Sequence, residues 1–180
     1  MMPTATATDS EHSFQDAMAL FAAGVTAVTT LRDGKPAGLI ATSVCSLSSD
    51  PPSLVVCVNK NASAHDAIVK HGTFAVNLLS VEQSDIVDRF RAAKGDARFE
   101  PGQWTTLETG APVLADAAVV LDCRLDKCHD GYTHSIFVGV IERISSRRDV
   151  DSACLLWHGR SFARSTPLGA AQRVSKAVEV

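Results

Sequence analysis

Short runs of apolar and β-branched residues alternate with polar turn residues along most of this chain. Four runs in the first half predict strands, at residues 25–31, 39–48, 53–59 and 74–79. Three runs in the second half have the same character, at residues 118–125, 135–144 and 153–159. Turn residues at 32–35 and 129–131 predict hairpins between neighbouring strands. The pattern therefore indicates a mainly β protein.

Helical spacing is confined to three short segments. The first covers residues 14–21 and stops before Gly24. The second begins with a capping-box signal at Ser63 and ends at Gly72, and the third begins with the same signal at Ser80. The third has an apolar stripe formed by Ile86, Val87 and Phe90. Since these helices do not alternate regularly with the strands, we expect an antiparallel barrel rather than a doubly wound parallel sheet.

The length and composition are those of one globular domain. The chain has 180 residues, of which 46% are hydrophobic and 21% charged. Residues 13–164 are predicted to form the domain. Residues 1–12 are predicted to be a flexible N-terminal arm, and residues 165–180 a loosely held C-terminal tail.

Charge and cysteine usage narrow the class of protein. The formal net charge is −3 and no basic cluster occurs, so we expect no nucleic-acid partner. No apolar run approaches the roughly 20 residues of a spanning helix, so no membrane partner is expected. Five cysteines without a secretory signal favour the cytoplasm. Cys123, Cys128, His129 and His134 fit no common zinc spacing, so we expect no metal site.

Motifs for several reaction classes are missing from the sequence. It contains no dinucleotide-binding G-x-G-x-x-G, no P-loop, no H-E-x-x-H and no G-x-S-x-G. The first remaining candidate is the small, hydroxyl-rich stretch 42–48. Its backbone and hydroxyl groups could hold a flat ring, and the alternative is an edge strand whose Ser and Thr side chains face water.

Two further segments carry candidate binding groups. Residues 59–65 lead from a strand into a helix start, where free N–H groups, Lys60, Ser63 and His65 could bind a phosphate. The alternative there is plain helix capping. His134 enters a strand from a turn and either faces a pocket or is simply an exposed polar residue.

These segments, in this order, resemble the short-chain flavin reductases, the NAD(P)H-dependent reductase components of two-component monooxygenases. The resemblance is carried by residues 24–30, 38–68, 74–79, 97–99, 111–112, 134–142 and 155–162. It implies a six-stranded antiparallel Greek-key split barrel of the FMN-binding kind, with a few short flanking helices. It also implies a homodimer with flavin sites near the subunit contact.

The resemblance implies roles for individual residues. The isoalloxazine ring is expected at Thr42, Ser43, Val44, Cys45 and Ser46. The phosphate and ribityl chain are expected at Asn59, Lys60, Ser63 and His65, with a further flavin contact at Arg98 and Phe99. His134 matches the histidine near the nicotinamide and is the expected catalytic residue, and His158 and Arg160 are further nicotinamide-binding candidates.

The implied activity is hydride transfer from NADH, or NADPH, to FAD or FMN, with FAD slightly favoured. The reduced flavin would pass to a separate oxygenase. This chain departs from many relatives at Val44-Cys45 and at Tyr132-Thr133, where relatives commonly have Gly-Asp. Two alternatives share the barrel: a flavin- or deazaflavin-dependent oxidoreductase with another substrate, and a flavin-binding module without turnover.

Overall fold

The architecture is described here from a computed structural model, which covers residues 14–100, 103–147 and 153–167. The predicted arm, residues 1–12, and residues 168–180 of the predicted tail lie outside the described residues. The twelve strands in this part of the chain are β1 Ala23–Gly24, β2 Thr26–Arg32, β3 Lys35–Ala41, β4 Val44–Ser49, β5 Pro52–Asn59, β6 Thr73–Leu78, β7 Trp104–Thr106, β8 Pro112–Leu114, β9 Val119–Gly131, β10 His134–Ser146, β11 Leu155–His158 and β12 Ser161–Arg164.

The helices are few and short, as predicted. They are α1 His65–His71 and α2 Ser84–Ala92, with short 3-10 helices at Val81–Gln83 and Gly95–Phe99. Residues 14–19 are also helical. No helix among the described residues is long and apolar enough to cross a bilayer.

Seven antiparallel strands form the main sheet, in the order β3-β2-β6-β9-β10-β5-β4. The predicted single strand 39–48 is wrong in one respect, because it divides into β3 and β4 at residues 42–43. Ser43 already pairs with β5: its Oγ donates to the Cys57 carbonyl at 2.7 Å. Two residues therefore carry the chain from one edge of the sheet to the other, which rolls the sheet into the predicted split barrel with seven strands instead of six.

The interior of the barrel is apolar. Val28, Val56, Phe74 and Phe137 are fully buried there, each from a different strand. Gly139 on β10 makes room for Phe74, since a Cβ at this position would lie 2.5 Å from the Phe74 Cζ. Buried and less buried residues alternate along the first half of β10, whereas the central strands β2 and β6 are buried along most of their length.

A second apolar layer covers the outside of the sheet. The predicted stripe of α2 is confirmed, with Ile86, Val87 and Phe90 buried. The Ser80 N–H donates to the Gln83 side chain at 3.0 Å, as the capping signal predicted. This layer places α2 beside β3, where the groove described below is formed.

Three local predictions are corrected by the structure. Helix α1 is capped by Ala64 instead of Ser63, whose hydroxyl faces Arg98. The β9–β10 turn is formed by residues 132–133 instead of 129–131, because both strands continue farther than their apolar pattern. The first helix ends earlier than predicted, and Gly24 belongs to β1, which pairs with β11.

Candidate functional site

A groove follows the free edge of β3, and we call it the β3 groove. It consists of three adjoining cavities of about 330, 240 and 260 Å³. Ile40 and Arg91 border both the first and the second cavity, and Ser63 and Arg98 border both the second and the third. The three cavities therefore adjoin one another along this edge of the sheet.

The first cavity is largely apolar and aromatic. Trp157 and Phe162 from the small sheet β1-β11-β12 lie edge to face, with ring centroids 5.5 Å apart. Thr42 borders the same space, at the point where β3 ends. A flat ring could lie here against aromatic walls, with the hydroxyl group of Thr42 within the lining.

The middle of the groove is cationic. The Arg98 guanidinium is held in place because Nε donates to the Ala93 carbonyl at 3.0 Å and Nη1 to the Gly38 carbonyl at 2.8 Å. Nη1 also lies 3.3 Å from the Ser63 Oγ. Arg91, from the last turn of α2, adds a second positive charge to the lining. A charge oriented in advance by backbone carbonyls binds an anion with little ordering cost.

Charged side chains of both signs line the far end of the groove. Arg32, Lys35, Asp33 and Asp96 border it. Lys35 Nζ lies 3.4 Å from an Asp96 carboxylate oxygen, and both side chains are exposed. Because both side chains of this ion pair are exposed, it contributes little to stability.

The predicted residues 59–60 and 134 meet at the tip of the β9–β10 hairpin, which we call the hairpin corner. His134 lies opposite Asn59 in the β10–β5 register. Lys60 Nζ donates to Asp130 at 2.8 Å, and the Lys60 N–H donates to the Thr133 carbonyl at 3.0 Å. The hydrogen bond from Lys60 lowers the pKa of Asp130, so the carboxylate that neutralises this lysine stays charged.

The backbone of the hairpin corner offers fewer free donors than the sequence predicted. The N–H groups of Asn61, Ala62 and His65 already donate within the loop, the first of them to the Asn59 side chain. Helix α1 has only seven residues. The anion-binding capacity of this region therefore rests on side chains, above all Arg98 and Ser63.

His65 joins helix α1 to strand β10. Its Nε2 lies 2.8 Å from the Ser135 Oγ, and its Nδ1 lies 2.8 Å from an Asp66 carboxylate oxygen. The ring also packs against Phe137, with centroids 5.3 Å apart. His65 thus fixes the strand that carries His134.

A separate cavity of about 310 Å³ opens at one end of the barrel, and we call it the barrel-mouth cavity. Predicted ring-binding residues Val44, Cys45 and Ser46 border it, together with apolar side chains such as Leu78 and Leu121. The structure therefore divides the predicted segment 42–46: Thr42 borders the β3 groove, and residues 44–46 border the barrel mouth.

The remaining predicted residues lie in different surroundings. Phe99 is buried and packs edge to face on Trp104, with ring centroids 4.8 Å apart, so it supports Arg98 from within the core. His158 and Arg160 are exposed on the β11–β12 hairpin, and Arg160 pairs with Asp16.

Sequence reasoning missed Arg91 as a site residue. Its spacing of four from the predicted apolar residue Val87 places both on one face of α2, and this signal could have identified it. Both residues border the first cavity of the groove.

No cluster of three or more metal-ligating side chains occurs in the described ranges. Of the cysteines near the predicted turn, Cys123 is buried while Cys128 is exposed. Burial raises the pKa of the Cys123 thiol to about 12, which keeps it protonated and unreactive.

Comparison with known proteins assigns the chain to a family. Residues 18–166 match the flavin reductase like domain. The chain belongs to this family. It is 37% identical over 162 residues to an FMN reductase (NADH) RutF of Agrobacterium fabrum, covering 89% of this chain and 92% of the relative. It is 38% identical over 170 residues to the RutF of Pseudomonas syringae pv. syringae, covering 89% and 94%.

Solved structures of flavin reductases share the fold. The NADH:FAD oxidoreductase SgcE6 of Streptomyces globisporus superposes with a TM-score of 0.82 and 28% identity, covering 93% of this chain and all of that one (100%). BorF, the flavin reductase component of a bacterial two-component tryptophan halogenase, superposes with a TM-score of 0.78 and 29% identity, covering 86% and 97%. The predicted family and the predicted split barrel are both confirmed.

Proposed function

We propose that this protein is an NADH-dependent flavin reductase that transfers a hydride to FAD or FMN and supplies the reduced flavin to a separate oxygenase. The observation that carries the proposal is the β3 groove, which joins an aromatic cavity to a preset cation at Arg98. The names of its relatives, FMN reductase (NADH) and NADH:FAD oxidoreductase, support the same activity.

The donor set of the groove fits a flavin nucleotide. Arg98 and Ser63 would bind its phosphate, and Arg91 would add a second positive charge. Thr42 in the groove would bind one side of the ring. Residues 43–46 would reach the ring from the free edge of β4, although residues 44–46 also border the barrel mouth, since an edge strand has backbone groups that no neighbouring strand uses. The bound flavin supplies the chemistry, because its ring accepts the hydride from the nicotinamide.

His134 would position the pyridine nucleotide. It is half-buried at the hairpin corner, and its Nδ1 lies 2.9 Å from the Thr133 Oγ1. The ring is held by its strand and by Thr133, so it can orient a nicotinamide without first becoming ordered. We assign a secondary role in nucleotide binding to His158 and Arg160, which are exposed beside the aromatic end of the groove.

The far end of the groove favours FAD over FMN. The third cavity continues beyond Arg98 and Ser63, and Arg32 and Lys35 are the cations among the charges of both signs that line it. A second phosphate and the adenosine of FAD would extend into this space, where FMN has no group to place. FAD should therefore bind more tightly, and Lys35→Glu should reduce that preference.

Anaerobic mixing of the purified protein with NADH and free flavin tests the activity. We expect the absorbance of oxidised FAD and FMN to fall, with a lower KM for FAD, and a slower reaction with NADPH. Loss of absorbance with neither flavin would reject the proposal. A tightly bound flavin that NADH does not reduce would instead identify a non-catalytic flavin-binding module.

His134→Ala tests the role of the histidine separately. We expect KM for NADH to rise more than the Kd for FMN, because the ring faces the pyridine nucleotide in this proposal. Equal losses in both constants would contradict the assignment.

A homodimer and a cytoplasmic location belong to the same proposal. Ile144 is 57% exposed and lies opposite Leu121, so an apolar side chain stands at the rim of the apolar barrel mouth. A second copy of the chain would cover this surface. Light scattering should give the mass of a dimer, and Ile144→Lys should shift it towards the monomer. The five free cysteines suit a reducing compartment.

A further inference from the structure

Tyr132 is an aromatic residue at an exposed position, where its ring contributes no packing to the fold. It is the single tyrosine of the chain and forms the tip of the β9–β10 hairpin. The residue is 93% exposed, and its backbone has a φ of 64°. A bulky residue in this left-handed region is unusual, and such outliers cluster at functional sites.

The local geometry of the turn favours glycine at this position. Gly131 pairs with His134, so the loop has only two residues, and only the first of them has a positive φ. That pattern belongs to turns that prefer glycine at the first central position. Tyrosine here carries a conformational cost, and its exposed ring recovers none of that cost by packing.

The tip is nevertheless held firmly. The Tyr132 N–H donates to an Asp130 carboxylate oxygen at 2.9 Å, and the other oxygen accepts from Lys60 Nζ at 2.8 Å. The Lys60 N–H also donates to the Thr133 carbonyl at 3.0 Å. These bonds present the ring on a rigid base, two residues from His134.

We propose that Tyr132 is a stacking platform for the adenine ring of a bound dinucleotide, a role that rests on the proposed function. With the nicotinamide at His134, the adenine half of NADH is the part left outside the groove, beside this exposed ring. An aromatic side chain binds a base through its flat face, without a buried pocket. The adenine of FAD has the same chemistry, and the experiments below separate the two sources.

Binding can be observed without turnover. Because the chain has one tyrosine, selective labelling gives a single set of tyrosine ring signals in an NMR spectrum. ADP-ribose, which contains the adenine but no nicotinamide, should shift these signals upfield through its ring current. Nicotinamide mononucleotide should not. Tyr132 signals that ADP-ribose leaves unchanged would overturn the proposal.

Three substitutions then separate the ring from the backbone. Tyr132→Asn tolerates a positive φ and removes the ring, Tyr132→Gly relieves the backbone cost, and Tyr132→Phe keeps the ring. With FMN as acceptor, we expect KM for NADH to be about fivefold higher in the Asn and Gly variants, which corresponds to the lower end of the free energy of base stacking. In the Phe variant, KM for NADH should stay near the wild-type value. KM for reduced nicotinamide mononucleotide should not change. Gly should also raise Tm.

The outcomes of this experiment show whether the adenine that stacks on Tyr132 belongs to the pyridine nucleotide or to FAD. A rise in KM for NADH identifies the pyridine nucleotide, whereas a rise in KM for FAD but not for NADH identifies the flavin. Equal effects on NADH and reduced nicotinamide mononucleotide, or a Phe variant that behaves like Asn, would overturn the proposal. If the wild-type protein reduces no flavin, the proposed function fails, while the ADP-ribose titration still tests the platform.

Discussion

Each of the three cavities of the β3 groove is similar in size to the barrel-mouth cavity, but the groove and the barrel mouth differ in chemistry. The barrel mouth is walled mainly by apolar side chains, and the hydroxyl of Thr26 in its lining already donates to the Ala41 carbonyl at 2.8 Å. The groove has Arg98, aimed by two backbone carbonyls, and Arg91 beside it. Volume alone therefore does not identify the ligand site, and the available charged donors favour the groove for a phosphorylated ligand.

Arg98→Gln should weaken flavin binding more than any other substitution proposed for the groove. The glutamine keeps a donor but removes the charge, and a hydrogen bond to a charged group contributes about 1.5–3 kcal/mol. We expect the Kd for FMN, measured by fluorescence titration, to rise about 10- to 100-fold. The Kd for FMN of Arg98→Lys should lie between those of the wild type and Arg98→Gln, since lysine keeps the charge but lacks the planar guanidinium group.

Leu121→Met is the matched control in the barrel mouth. It conserves volume in the apolar lining, so the Kd for FMN should stay at the wild-type value. If this variant weakened FMN as much as Arg98→Gln, the barrel mouth would have to be regarded as the flavin site.

A second pair of variants tests the groove from α2. Arg91 borders the groove, whereas Arg89 on the same helix pairs with Asp85 at 2.9 Å. An exposed charge pair contributes up to about 1 kcal/mol, so Arg91→Gln should raise the Kd for FMN by about two- to fivefold. Arg89→Gln should have a smaller effect. A larger effect of Arg89→Gln than of Arg91→Gln on the Kd for FMN would indicate that the phosphate does not bind in the β3 groove.

The contrast also shows what could be predicted from the sequence. The strands of the main sheet and the stripe of α2 follow from local residue preference and spacing, and they were predicted, although β9 ends at residue 131 instead of 125. The short strands β1, β7, β8 and β12 were not predicted. The division of strand 39–48 could not be predicted, because the chain leaves β3 at a point where Ser43 forms a hydrogen bond with Cys57 of β5. A local pattern carries no information about such a distant partner.

The site residues likewise divide into those that the sequence predicted and those whose surroundings depend on distant parts of the chain. Ser63 and Arg98, predicted through the family resemblance, do meet in the groove. Lys60 has the expected position, but its charge is matched by Asp130, which lies 70 residues away in the sequence. The spacing of Arg91 from Val87 places it on the inner face of α2, but the sequence of the helix does not show that a groove runs beside that face.

Cys45 gives a smaller test of where the flavin ring lies. Cys45 and Cys128 are both exposed, and Cys45 belongs to the predicted ring-binding segment whereas Cys128 lies on β9. We expect saturating FMN to slow the alkylation of Cys45 and to leave Cys128 unaffected, as measured by mass spectrometry of the labelled peptides. Equal rates at Cys45 with and without FMN would separate residues 44–46 from the ring site.

The smallest expected effect is the response of the hairpin corner to acid. The hydrogen bond from Lys60 lowers the pKa of Asp130, so the Lys60–Asp130 pair is fully formed above the ordinary carboxyl pKa and is lost as pH falls through the lower pKa of the folded state. The Tyr132 ring signals should therefore stay constant from neutral pH down to about 4 and move only below it. Asp130→Asn should abolish this acid step and change Tm little, since the carboxylate is exposed. A step between about pH 5 and 8 would instead point to a histidine, and would contradict control of the hairpin tip by the Lys60–Asp130 pair.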